Sequence, residues 1–505
     1  MVSGNVILKL RLCNVYNFYI ILIYLMPKIC NSSMNFKDCE LAILRNAVDQ
    51  IEERVGKQKI DNPEVTVIIS IVEEFLQKRK RICYGGTAIN NILPEKDQFY
   101  NKDVELPDYD FFSPTPLKDA KDLADIYYKR GFTEVQASAG VHTGTFKVFV
   151  NFMPVADITY LVPELYKNLL KKAVNIAGIR YCPPNYLRML MYLELSRPRG
   201  DASRWEKVLK RLTILNDNYP LVASRCDVTL IQRIFEKGYK VKSNSMGGVV
   251  MDEDSFENPE EKIFMIARET LSSLGCIFFG AFANRLFLKN TKELKRKPIP
   301  KIPDFDVLSV EPERHANILK ERLIHSNIRK VNIVKRPGVG EIIAPHFEVR
   351  IGKETVAFIY EPLACHSYNQ IEIGGNNYKI ATLDTMLSFY LAFLFTDRPY
   401  YNEKRILCMS HYLFEVQEKN RLKQKGLLKR FSIDCYGNHH TIEEIRSEKA
   451  EMFKTLKKMK ITSGKKYEWY FLKYTPGGKN KKPTKTKTKK KKRKRRKKKT
   501  RKFLF

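Results

Sequence analysis

At 505 residues and 59.0 kDa, with 44% hydrophobic and 11% aromatic residues, the chain carries enough apolar material for more than one packed core, which excludes a wholly disordered protein. Lysine and arginine number 90 against 56 acids; residues 479–502 hold 18 of those bases and no acid, and removing 18 from the net +34 still leaves +16 for the rest. Both parts are cationic, so a polyanion is the expected partner, nucleic acid ahead of a membrane, because phosphates release counterions to Lys and Arg.

In chain order, an uncharged run from Leu12 to Pro27 comes first, behind Lys9 and Arg11 and interrupted by Asn14 and Asn17. It is shorter than the roughly 20 apolar residues of a spanning helix. It imitates a signal peptide, and residues 1–35 are read as a dispensable extension with no membrane partner. From Cys39, Leu41, Leu44, Val48, Ile51 and Val55 recur at three- and four-residue spacing and predict a helix with one buried face. A second helix is expected over 65–79. Residues 81–84 read as a short strand, broken by Gly85-Gly86 before Thr87-Ala88-Ile89-Asn90 can open a helix. Strands are expected over 109–112, 133–138, 145–151 and 153–160, with a helix over 117–130 among them, and helices over 186–195 and 203–215 follow Pro184. The ten cysteines show no CxxC pair and no metal-finger spacing, and read as reduced, mostly buried thiols of a cytosol-like compartment.

The same order then returns. Tyr84-Gly85-Gly86-Thr87-Ala88-Ile89-Asn90 is echoed by Phe279-Gly280-Ala281-Phe282-Ala283-Asn284, and Pro107-Asp108-Tyr109-Asp110 by Pro303-Asp304-Phe305-Asp306. Val155-Ala156-Asp157-Ile158 returns as Val356-Ala357-Phe358-Ile359, and Arg197-Pro198 as Arg398-Pro399. The offset moves only from 195 to 201, so one short insertion between the second and third blocks accounts for all four matches. The expected fold class is therefore α+β, with two tandem copies at residues 36–245 and 246–470, and a disordered polybasic tail over 471–505.

A strand, a Gly-Gly turn and a helix start bring free backbone N–H groups and a helix dipole to one point, where a triphosphate could sit. Asp108 and Asp110, two apart on a strand, face the same way. Asp157 is a carboxylate inside a largely apolar strand and needs a compensating cation. Together they suggest three aspartates holding two divalent metals for in-line nucleotidyl transfer. The alternative has Asp108 capping a turn and Asp157 paired with a buried Arg or Lys.

These residues, with the block Ser196-Arg197-Pro198-Arg199-Gly200-Asp201-Ala202-Ser203-Arg204-Trp205, resemble the poly(A) polymerase catalytic subunits of giant viruses and poxviruses, within the polymerase-β-type nucleotidyltransferases. The resemblance covers about residues 36 to 470. It implies template-independent addition of AMP from ATP to the 3′ end of mRNA, with Mg²⁺ or Mn²⁺. It maps the catalytic and metal-binding acids onto Asp108, Asp110 and Asp157. It places the triphosphate turn at Gly85, Gly86 and Thr87, with Asn90, Arg204 and Lys207 as further nucleotide contacts on or near a basic helix 197–207. Phe358 in place of the third acid and Ala281 in place of the second glycine predict a silent second copy. The resemblance also implies a homodimer or a processivity subunit, and action in the host cytoplasm or the virion. The tail reads as an RNA tether, with import or packaging as rivals. CCA addition, uridylation, or an inactive RNA-binding scaffold are the competing readings.

Overall fold

The computed structural model describes residues 29–30, 33–60, 62–101, 106–221, 223, 226, 259–289 and 304–478. Most of the extension, the boundary at 245/246 and the polybasic residues 479–505 lie outside the described residues.

Two helices lead in: α1 (Phe36–Ile60) and α2 (Pro63–Arg79). Asn62 caps α2 by accepting from the Glu64 N–H at 2.9 Å, and Pro63 takes the first helical position, whose N–H would be unpaired anyway. Ile68, Ile71, Val72, Phe75 and Leu76 form its buried stripe. The first half continues as β1 (Ile82–Cys83), α3 (Gly85–Ile92), β2 (Tyr109–Ser113), α4 (Pro116–Lys129), β3 (Val135–Ala139), β4 (Thr145–Val150) and β5 (Met153–Tyr160). Then come α5 (Pro163–Lys172), β6 (Val174–Ile176), β7 (Ile179–Tyr181), α6 (Pro184–Leu195) and α7 (Trp205–Asn218). The second half runs α8 (Pro259–Ser273), β8 (Ile277–Phe279), α9 (Gly280–Leu288), β9 (Phe305–Leu308), α10 (Pro312–His325), β10 (Val331–Arg336), β11 (His346–Ile351) and β12 (Glu354–Tyr360). It ends with β13 (His366–Ile373), β14 (Asn376–Ala381), α11 (Leu383–Phe393) and α12 (Glu403–Lys419). The C-terminal pieces are β15 (Cys435–Tyr436), α13 (Ile442–Lys458), α14 (Lys465–Phe471) and β16 (Lys473–Tyr474).

The two sheets have one topology. Seven strands correspond, β3-β4-β5-β2-β1-β7-β6 in the first and β10-β11-β12-β9-β8-β14-β13 in the second, and the eighth differs: β16 joins the first beside β3 and β15 joins the second beside β13. The sense of every pairing also matches: β2–β5 and β9–β12 are parallel, as are β1–β7 and β8–β14, and the remaining pairs are antiparallel. The repeat seen in the sequence is thus a repeat of architecture. The extra residues that lengthen the offset fall in the loop 337–345 between β10 and β11, opposite the shorter loop 140–144. Helix α5 belongs to the first half only, since β12 runs into β13 without a helix.

The halves meet through equivalent elements. Helix α6 packs on α11, the same helix of the other copy, and the Ser367 N–H donates to the Ser196 carbonyl at 2.8 Å. Tyr186 meets Phe395 edge-on at 5.1 Å, and Arg398 pairs with Glu164 at 2.7 Å. The chain then returns to the first sheet: β16 pairs antiparallel with β3, and Trp469 packs against Phe146 and Tyr160, so the stretch after 442 crosses the linear division at 470.

Two expectations need correction. The cysteines are not all reduced: Cys30–Cys39, Cys226–Cys408 and Cys365–Cys435 are disulfides, while Cys83, Cys182 and Cys276 are buried free thiols. Partners 182 and 70 residues apart leave no spacing signal, because the fold alone brings them together. The stripe on α1 is real but not buried: Leu41, Leu44, Val48, Ile51 and Val55 are between 42% and 61% exposed. Among the described residues no helix is long and apolar enough to cross a membrane.

Candidate active site

The acids sit where two parallel strands run side by side. Asp110 on β2 and Asp157 on β5 are direct register partners, so both side chains leave the same face of the sheet. Asp108 lies just before β2, more exposed than Asp110, and its charge and that of Asp157 both act on Asp110. Burial, then the neighbouring charges of Asp108 and Asp157, push the Asp110 carboxyl up to about 7, and Lys147 and Arg204 pull it partway back. Asp108 is likewise raised, by burial first and Asp157 second. Excess negative charge in a half-buried cleft is the electrostatic condition for holding cations.

The turn is fastened to this strand. The Tyr84 N–H donates to the Asp110 carbonyl at 2.9 Å, and the Thr87 hydroxyl donates to the Asp108 carbonyl at 2.7 Å. Gly85 adopts φ +76°, and a Cβ there would lie 2.6 Å from Asp110 Oδ2, so glycine is required twice over. Helix α3 starts at this glycine with no side-chain cap, which leaves its first N–H groups open to an anion. Tyr84 stacks on Phe112 at 4.0 Å and bonds Thr159 at 2.9 Å, which steadies the end of the strand.

The predicted nucleotide contacts divide. Arg204 pairs with Glu194 at 3.4 Å and its charge reaches Asp110. Lys207 is exposed on α7, one turn further along. Asn90 is 2% exposed, and its carboxamide oxygen accepts from the Phe99 and Tyr100 N–H groups at 2.8 and 2.9 Å. Its task in this structure is to hold the loop after α3. The expected basic helix over 197–207 is corrected. Residues 197–201 form turns, α7 begins only at Trp205, and Arg197 lies in the junction beside Glu341 and His366, with burial lowering its guanidinium to about 10.

Two residues escaped the sequence reading. Lys147, the register partner of Asp157 on β4, forms an ion pair with it, so the alternative of a basic partner for Asp157 is the arrangement seen. A lone lysine in the apolar strand TFKVFV was the available signal. Arg211 lies over the rings of Phe99 and Tyr100 at 4.9 and 5.5 Å and donates to the Tyr100 hydroxyl at 2.7 Å. A Cβ on Gly86 would come 2.9 Å from its guanidinium, so Arg211 overhangs the Gly-Gly turn. Arg204, Lys207 and Arg211 follow helical spacing along one face, which sequence reading could have used.

Among the described residues no three His, Cys, Asp or Glu side chains are gathered as closely as in a formed metal site. What fits a divalent cation is the donor chemistry: three hard carboxylates close enough to feel one another's charge, with burial first and that repulsion second lifting Asp110 to about 7, and the Lys147 ammonium paired with Asp157.

The second copy shows how such a site is dismantled. Phe358 is the register partner of Asp306, in the place where Asp157 faces Asp110. Glu348 faces Phe358 where Lys147 faces Asp157, and is bound to Arg336 at 2.9 Å. Asp304 is fully buried against Arg405 at 3.4 Å. Gly280 keeps φ +75° at the start of α9 beside Asp306, so the turn outlives the site it served.

Residues 70–201 match the family profile described as poly(A) polymerase catalytic subunit. A protein of Acanthamoeba polyphaga mimivirus, provisionally named a poly(A) polymerase catalytic subunit, is 34% identical over 163 residues, covering 31% of this chain and 27% of that protein. A protein of African swine fever virus with the same provisional name is 30% identical over 190 residues, covering 36% of this chain and 40% of its own length. The matched stretch thus spans well under half of these relatives. The crystal structure of the Megavirus polyadenylate synthase superposes with a TM-score of 0.67 at 20% identity, over 88% of this chain and 87% of that one, a likeness of fold.

Proposed function

Taking the poly(A) polymerase kinship of residues 70–201 as premise, we propose that the chain is a template-independent polynucleotide adenylyltransferase that adds AMP from ATP to the 3′ end of RNA, viral mRNA being the expected substrate. The observation that carries the reading is the register pairing of Asp110 with Asp157 beside the Gly85 turn, within the matched stretch. In this reading Asp108, Asp110 and Asp157 are the catalytic acids and hold two Mg²⁺ or Mn²⁺ ions. Such ions would make an incoming 3′-hydroxyl more acidic and steady the leaving pyrophosphate.

The chain's own groups do the positioning. The open N–H groups at the start of α3 receive the triphosphate, and Gly86 lets the Tyr100 hydroxyl and the Arg211 guanidinium close over the turn. Arg211, Arg204 and Lys207 approach from α7 and hold its negative charge. Lys147, ion-paired with Asp157, keeps its carboxylate aimed at its partners until substrate and ions arrive. The second copy, its acids sealed or replaced, acts as a platform and not as a second centre. The polybasic residues 479–502 would tether RNA through counterion release. The relatives' name of catalytic subunit supports a further protein, a processivity subunit or a second copy, and their viral origin supports work in the host cytoplasm or virion.

The test incubates purified full chain with an RNA primer, Mg²⁺ and each NTP separately. Long products with ATP alone are expected. Extension by CTP or UTP would redirect the assignment to another terminal transferase, and binding without extension would leave a scaffold.

A further inference from the structure

From Lys454 to Lys473 the chain forms a strap on the first sheet, with seven lysines and one acid, Glu468. Trp469 packs on Phe146 and Tyr160, Leu472 is buried, and β16 pairs with β3, which is enough to close the edge of the sheet. The lysines are not needed for that. Lys457, Lys458, Lys460, Lys465 and Lys466 are all exposed, and none forms an ion pair among the described residues. The acids around them are engaged elsewhere: Glu468 with Lys121 at 2.7 Å, Glu451 with Lys454 at 2.6 Å, Asp122 with Arg79 at 2.8 Å, and Asp125 with the Tyr474 hydroxyl at 2.6 Å. Glu443, Glu444 and Glu448 lie toward the other end of α13. Rings stand among the cations. Phe453 and Tyr467 meet Phe471 at 5.6 and 5.3 Å, and Phe453, Tyr467 and Tyr470 all keep surface in solvent. The second sheet ends at β10 with no such addition among the described residues.

We propose that this strap is a folded RNA track, which holds the body of a single strand whose 3′ end lies at the acids; the inference rests on the polyadenylation reading. Unpaired ammonium groups beside accessible rings suit a single strand, because phosphates take the charge and bases of any sequence stack on the rings. The placement agrees. Tyr160 lies three residues beyond Asp157 on β5, about 10 Å along the strand. Its side chain and that of Phe146 leave the face opposite to Asp157 and Lys147. RNA on the strap therefore reaches the acids by rounding the β3–β4 turn at 140–144, where Trp469 lies beside Gly144 and Lys449 donates to the Gly140 carbonyl at 2.5 Å. A short primer fills the catalytic end without meeting the strap. The strap is thus distinct in position and in length dependence from the polybasic residues 479–502 that follow it in sequence.

The full chain carrying Lys457→Gln, Lys458→Gln, Lys465→Gln and Lys466→Gln tests this, and since all four side chains are exposed its urea midpoint should stay at the wild-type value. With ATP and Mg²⁺, the KM for an RNA primer of about 30 nucleotides should rise about tenfold, and that for a primer of about four nucleotides about twofold at most. In RNA binding without ATP, losing four phosphate contacts should flatten the slope of log affinity against log salt by ~3. Acetylation of wild-type lysines, read by mass spectrometry, should show the longer RNA shielding all four of these side chains. The proposal fails if the two primers suffer alike or if RNA shields only the lysines of 479–502. It fails equally if anionic lipid vesicles shield the strap and RNA does not, which would make it a membrane face. A wild type that extends no primer would instead overturn the polyadenylation reading, and the shielding would still decide the strap.

Discussion

Replacing Asp110 with asparagine should abolish nucleotidyl transfer and, in protein stripped of divalent ions, make the fold more stable at neutral pH. The carboxyl is lifted from 3.8 to about 7 by burial and by the charges of Asp108 and Asp157. Each pKa unit is worth ~1.4 kcal/mol, so about three units set a ceiling of ~4 kcal/mol. Part of that lift belongs to the group of acids and not to one member, which brings the expected gain to ~1–3 kcal/mol. The sign follows from linkage. Because the folded-state value lies above the unfolded one, the contribution is favourable below about pH 4 and is lost as pH rises toward 7. Wild type should therefore weaken over that window more than the variant, in which only the smaller contribution of the raised Asp108 remains. The two tryptophans, Trp205 on α7 and Trp469 against Phe146, both report on the first half, so urea unfolding followed by their fluorescence reads the relevant core. In chelator, midpoints should nearly coincide at pH 4 and separate at pH 8 in favour of Asp110→Asn, and Mg²⁺ should then raise wild type alone. Equal midpoints at pH 8, or a weaker variant, would refute the crowding of these acids.

Gly85→Ala forces a side chain into φ +76° and against Asp110 Oδ2, and should cost ~1–3 kcal/mol in urea unfolding together with nearly all turnover. Arg211→Met should raise the KM for ATP about tenfold or more with a smaller change in kcat, as expected for loss of a charged hydrogen-bonding partner of the triphosphate; an unchanged KM would remove Arg211 from the nucleotide site. Asp304→Asn strips a fully buried acid from Arg405 and should lower stability by ~3 kcal/mol, yet leave activity per folded molecule intact. A folded but inactive Asp304→Asn protein would overturn the silence of the second copy.

Much of this was legible because strand geometry is short-range. Alternation predicts that Asp108 and Asp110 face the same way, whereas the pairing of Asp157 with Asp110 needed the register of β5 on β2; a nearly constant offset exposes the duplication before any sheet is seen. What escaped depends on contacts across the fold. Lys147 is paired to Asp157 by the register of a neighbouring strand. Arg211 comes to the turn only because α7 folds back over the loop that Asn90 holds. The strands of the β6–β7 hairpin are three residues each, too short to show a period. Stripe analysis found the apolar row on α1 but does not say what covers it. Arg197 was assigned to a basic helix because the loop bearing Glu341, beside which it is buried, lies more than a hundred residues downstream.

The packing of α6 against α11 has a bearing on how the two halves came to differ. In an assembly of identical subunits, any change at the shared contact appears on both sides at once and must suit both. With the counterparts written into one polypeptide, each side mutates alone. One centre could then be traded for a phenylalanine core and a buried Arg405–Asp304 pair while the other kept its carboxylates, without separating the halves.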